Sequence, residues 1–134
     1  MTSLPPEVAT ASIRNQPVSA VVALPAEIDV YNREQAYSRI HSACASGASV
    51  VIADFTGTRF CDAGSMRRLL AVGRPATVEL RFAIRPGSPV RRLADLLNVG
   101  HCVPVYPSPG EAAAVIPWPR NARRLDDEPP DTVA

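Results

Sequence analysis

Residues 49–55 most constrain what this chain can fold into. Val50-Val51-Ile52-Ala53-Asp54-Phe55 is nearly all apolar and β-branched at its start, with no polar face. Such a run predicts a strand covered on both sides, the central strand of a layered α/β sheet. Thr56-Gly57-Thr58 then reads as a tight polar turn, and Asp62 as the cap of a following helix. Met66, Leu69 and Leu70 form that helix's inner face and leave Arg67 and Arg68 outside. A strand, turn and capped helix in this order expose a helix N-terminus at the end of a strand, where α/β proteins place their binding sites.

The remaining pattern alternates in the same way. Residues 18–24 are a β-branched apolar run, and Ile13-Arg14 is expected to open an antiparallel partner before it. Asn32 caps a first helix, with Gln35 completing a capping box and Gly47 ending it. Residues 78–84 alternate, with Val78, Leu80, Phe82 and Ile84 inward against Glu79, Arg81 and Ala83. Ser88 and Pro89 open a third helix carrying Val90, Leu93 and Leu97, closed by Gly100. Residues 103–106 are a short strand, and Ser108-Pro109-Gly110-Glu111 is a second capping box that starts a last helix through Ile116. The expected class is α/β: a mixed sheet of four to five strands packed with about four helices. Whether helices cover one face or both is open. The expected boundaries are a flexible leader over residues 1–12, one domain over 13–116, and a disordered Pro-rich tail over 117–134.

The chain has 134 residues, enough for one domain with a real core. Its net charge is +1, which argues against charge-driven attachment to nucleic acid or membrane. All 14 basic residues are Arg, which we read as codon bias of a GC-rich genome. No apolar run approaches the ~18 residues of a membrane span, and the first residues lack the regions of a signal peptide. Cys44, Cys61 and Cys102 show no C-x-x-C or paired spacing, so no disulfide framework and no metal site is expected. Three reduced thiols in a cytoplasmic protein are the expectation. Cys61 beside a helix start could have a lowered pKa, but Phe60 and its strand-like setting favour a buried, inert thiol. Neither His41 nor His101 is expected near it, so cysteine catalysis is not predicted. No Gly-rich phosphate loop is present, so a nucleotide enzyme is not expected, and no cofactor is.

Four segments, in order and at matching spacing, resemble the STAS domain of bacterial anti-sigma factor antagonists. Pro25-Ala26-Glu27-Ile28-Asp29 is similar to the family's Gly-Glu-Leu-Asp segment after its second strand. Val51 through Asp62 resembles its strand, loop and F-x-D helix entry, and Arg85-Pro86-Gly87-Ser88-Pro89-Val90-Arg91-Arg92-Leu93 its third-helix start. Leu97-Asn98-Val99-Gly100 and then Val105-Tyr106-Pro107-Ser108 resemble the end of the domain. The resemblance implies a non-enzymatic regulator of transcription. Its partner would be an anti-sigma factor that is also a serine kinase of the histidine-kinase-like ATPase type. In that family the residue after the motif Asp is a Ser or Thr that the kinase phosphorylates, and the unphosphorylated form binds the kinase.

Carried over, Asp62 matches the motif Asp and Ala63 falls on the phosphoacceptor, which therefore has no hydroxyl. Gly64 and Ser65 follow in the places of the family's small residue and its Gly. Ser65 is the nearest substitute phosphoacceptor, or simply a solvated or back-bonded helix serine; Thr56 and Thr58 lie on the same rim. The expected partner-binding residues are Asp29, Thr58, Asp62, Ala63, Gly64, Ser65, Arg67 and Arg68. Direct contact with nucleic acid or insertion into a membrane is not expected, and homodimerisation through the second-helix face stays open. An alternative use of the same fold is a small subunit docked on the ATPase of a lipid-type membrane transport complex.

Overall fold

The computed structural model describes residues 18–117. The strand expected at Ile13-Arg14, the leader and the tail beyond Pro117 lie outside them. The strands are β1 (Ser19–Ala23), β2 (Glu27–Ile28), β3 (Val50–Asp54), β4 (Phe60–Cys61), β5 (Glu79–Ala83) and β6 (Val105–Tyr106). The helices are α1 (Arg33–Cys44), α2 (Ala63–Leu70), α3 (Pro89–Leu96) and α4 (Pro109–Ala114). The main sheet has four strands in the order β1-β3-β5-β6, and every pairing among the described residues is parallel. The apolar run lies at the sheet's interior as β3, with Val21 opposite Ile52 on one side and Ile52 opposite Arg81 on the other.

Helices cover both faces, unequally. Val51, Ala53, Leu80 and Phe82 face α1, α2 and α3, and pack with Ile40, Met66, Leu69 and Val90. Val50, Ile52 and Ala83 face the other way, towards Ala112 of α4. Phe55 and Phe82 meet with ring centroids 4.9 Å apart in the larger core. Each fully buried side chain of this size contributes about 1.5–3 kcal/mol.

The second face corrects one reading of the alternation. Arg81, expected on the outside of β5, is fully buried beneath α4. Its Nε donates to Glu79 at 2.9 Å, and its Nη1 donates to the carbonyls of Ala112 and Val115 at the end of α4. A period of two says only that Arg81 and Phe82 point to opposite faces; α4 covers the face of Arg81, and α1, α2 and α3 cover that of Phe82.

Helix ends follow local chemistry in part. Ser88 and Ser108 cap α3 and α4 by accepting from Arg91 N and Glu111 N at 3.1 Å, each with Pro next in the chain. Two stops differ from expectation. α3 ends at Leu96, and Asn98 at φ 57° turns the chain before Gly100. α4 ends at Ala114 rather than Ile116. The capping box at α1 is absent: Asn32 makes no side-chain cap bond to its helix. Its amide is engaged behind it instead, Oδ1 accepting from Asp29 N and Nδ2 donating to the Glu27 carbonyl.

Candidate functional site

In a parallel sheet the loops after the strands gather at one end, and two of them are joined here. After β1 and after β3 the chain makes the short parallel ladder β2–β4, pairing Glu27 with Phe60 and Ile28 with Cys61. Arg59 N and Phe60 N donate to the Ala26 carbonyl, and Asp62 N to that of Ile28. Thr58 adds a bond from its Oγ1 to the Pro25 carbonyl at 2.8 Å. Ile28 and Cys61 point inward while Glu27 and Phe60 are exposed. The starts of α1 and α2 are therefore held as one rim. Nothing in the residue pattern announced two-residue strands, because their propensity is negligible and the pairing partner lies over thirty positions away.

Asp62 caps α2 as expected, with extended backbone and Oδ1 accepting from Ser65 N at 2.7 Å. That bond holds its carboxyl below the usual range; the Ser65 hydroxyl and the Arg33 guanidinium add to this, and partial burial opposes them. The cap is ionised at neutral pH. Arg33, the first residue of α1, reaches Asp62 at 3.5 Å. Its Nη1 and Nη2 lie 3.2 Å from where a Cβ on Gly64 would stand. Gly64 is thus the seat of an arginine from another helix. The arginine's Nε is buried with no hydrogen-bond partner among the described residues.

Ser65 does not stand on the rim. It is fully buried, against the expectation of a solvated or back-bonded hydroxyl. Its hydroxyl is close enough to Asp62 to favour the charged carboxylate, yet makes no hydrogen bond of proper geometry with any described residue. It faces inward from the same helix as Met66 and Leu69, which is why the first turn leaves it no water. Thr58, expected at the partner surface, is also buried, its hydroxyl given to Pro25. Thr56 is turned back on Asp54, donating through both N and Oγ1. Ala63 and Gly64 are half-buried at the mouth of the helix.

The two arginines of α2 diverge. Arg67 is exposed. Arg68 is already occupied: it donates twice to Glu34 of α1 at 2.8 Å and lies 3.8 Å over the Tyr37 ring. Tyr37 in turn accepts from Gly73 N. This seam of Glu34, Tyr37 and Arg68 escaped the sequence reading, as did Arg33, because Glu34 and Tyr37 share a helix face but Arg68 meets them from 34 and 31 positions away, and Arg33 meets Asp62 from 29. Asp29 is half-buried, and its Oδ1 accepts from Tyr31 N at 2.9 Å.

Cys61 lies beside the cap but is not activated. Burial first, then the neighbouring Asp62 charge, push its thiol up to about 12, outweighing Arg33. Burial raises Cys44 as well, whereas Cys102 is exposed. At pH 8 a maleimide is therefore expected to add once to the native protein, at Cys102, and three times after denaturation. Intact mass and peptide mapping check this; rapid native labelling of Cys61 would contradict the burial. Among the described residues no three His, Cys, Asp or Glu are grouped to hold a metal ion, and no helix is long and apolar enough to cross a membrane.

No family model and no curated relative matches the sequence. Among solved structures, the fold is similar to that of an anti-sigma factor antagonist from Mycobacterium paratuberculosis. The TM-score is 0.63 at 20% identity, over 70% of this chain and 81% of that one. The STAS-like α/β fold implied by the sequence resemblance is the fold this chain has.

Proposed function

We propose that this chain is an anti-sigma factor antagonist-like regulator, not an enzyme. It binds a serine-kinase anti-sigma factor in the bacterial cytoplasm and so controls sigma-factor availability. The docking surface is the mouth of α2, from Asp62 through Gly64, with Asp29, Arg67 and the two joined loops. The observation that carries this reading is the state of the hydroxyls at the mouth of α2. The fold is that of an antagonist, Ala63 has no hydroxyl, and Ser65 and Thr58 are buried. A kinase needs an exposed hydroxyl that it can bring in line with a nucleotide phosphate. The rim therefore keeps the charge of an unphosphorylated antagonist, and docking is constitutive.

The test pairs the protein with the kinase-type anti-sigma factors of its own genome, with and without ATP. A stable complex is expected that ATP does not dissolve, with the mass of this chain unchanged. Phosphate mapped to Ser65 or Thr58 would remove constitutive docking. Failure to bind any such factor, with recovery of a transport ATPase instead, would replace the reading with that of a transporter subunit.

A further inference from the structure

Tyr31 is 93% exposed, and Val30 beside it and Phe60 across the joined loops are 60% and 52% exposed. Large apolar groups left in water at one end of a domain mark an interaction surface more often than scattered ones do. Val30 and Tyr31 lie in a loop turn, outside any helix or strand, that is nevertheless held by side-chain hydrogen bonds. Asp29 Oδ1 accepts from Tyr31 N, Asn32 Oδ1 accepts from Asp29 N, and Asn32 Nδ2 donates to the Glu27 carbonyl. The Asp29 carbonyl accepts from both Asn32 N and Arg33 N. The amide that could have capped α1 is used to fix this turn, so the backbone that carries Tyr31 is set before any partner arrives. A preorganised aromatic loses little freedom on docking, which is what makes tyrosine effective at interface centres.

The border of this patch is acidic. Glu27 is outward beside Phe60, and Asp29 and Asp62 follow along the same two loops. Arg59 approaches Glu27 only to 3.7 Å in an exposed pair, and Arg33 reaches Asp62 at 3.5 Å. Three carboxylates thus stand against two guanidinium groups, that of Arg59 in an exposed pair and that of Arg33 seated over Gly64. From this geometry we infer that Tyr31, with Val30 and Phe60, is the apolar anchor of the docking surface, and that it enters an apolar socket bordered by Arg or Lys on the anti-sigma factor. The inference rests on the proposed function and names what that site presents to its partner.

Titration calorimetry with the same purified kinase-type anti-sigma factors tests it. Tyr31→Ala is expected to weaken binding by about tenfold or more, Phe60→Ala by severalfold, and Tyr31→Phe by little. Ile116→Ala, an equally apolar truncation at a residue 78% exposed outside these loops, should bind as the parent does. Affinity should fall with salt, and Glu27→Lys should weaken binding and flatten that dependence. The exposure of Tyr31 means its variants keep the parent's melting curve. Parent-like binding by Tyr31→Ala overturns the anchor and leaves the proposed function standing. An equal loss in Ile116→Ala also overturns it, and an unchanged salt dependence in Glu27→Lys overturns the basic border. A parent protein that binds none of these factors overturns the proposed function, and the anchor with it.

Discussion

Ser65→Glu is expected to cost about 3–5 kcal/mol, a large share of a domain's stability, while Ser65→Ala stays within about 1 kcal/mol of the parent. The contrast follows from the environment of one hydroxyl. The Ser65 side chain is fully buried and its hydroxyl has no hydrogen-bond partner of proper geometry among the described residues, so removing it leaves the cap bond from Ser65 N in place, takes away only a weak influence on Asp62 and leaves a very small void. A carboxylate there would be buried beside the ionised Asp62. The partial positive charge of the α2 N-terminus favours an anion by about 0.3–1 kcal/mol, too little to offset the desolvation and the repulsion. Urea unfolding followed by circular dichroism checks both variants. If Ser65→Glu kept a parent-like midpoint, the hydroxyl would have to be reachable by water, and with it by a kinase. An acidic residue at 65 is therefore a stability probe and no mimic of phosphorylation.

Arg81→Met should be as costly for a different reason, about 3–5 kcal/mol, with a melting point lower by roughly 15–25 °C. Arg81 lies at the bottom of the α4 face, its side chain 1% exposed, and joins three elements. It pairs with Glu79 on its own strand and supplies donors to the Ala112 and Val115 carbonyls, which α4 cannot satisfy internally at its end. The side chain also lies 5.8 Å over the Tyr106 ring. A methionine fills similar volume but supplies no donor and leaves Glu79 without this cation. Arg81→Lys keeps the charge and loses the fork that serves carboxylate and carbonyls together, so it should fall between the two. Thermal melts of the three proteins order these effects; equal melting points would mean that α4 is held by apolar contacts alone.

These two positions also measure how far the chain could be read without its fold. The periodicities were sufficient for the four helices and the main strands, since each depends on residues within one or two turns of one another. Ser88 and Ser108 capped where a short polar side chain before a Pro-led helix should. Asn32 looked the same on paper, yet its amide satisfied a loop instead of a helix. Ser65 and Arg81 were misplaced for one common reason: burial depends on what packs from elsewhere. An exposed-looking first turn faced the core, and an outward-looking strand position lay under the last helix.

The rim itself divides along the same line. That α2 starts at Asp62, that Ala63 carries no hydroxyl, and that the mouth of this helix opens at the end of a central strand are local properties, and the order of residues was enough to establish them. That Glu27 pairs with Phe60, that Arg33 fills the space over Gly64, and that Arg68 is held by Glu34 and Tyr37 came from packing between α1, α2 and the loops before them. Such contacts join residues about thirty positions apart, and they form because the parallel β1–β3 pairing delivers both loops to the same end of the sheet. The chain's order thus placed the rim proposed for docking, and the sheet's geometry decided which of its side chains stay exposed.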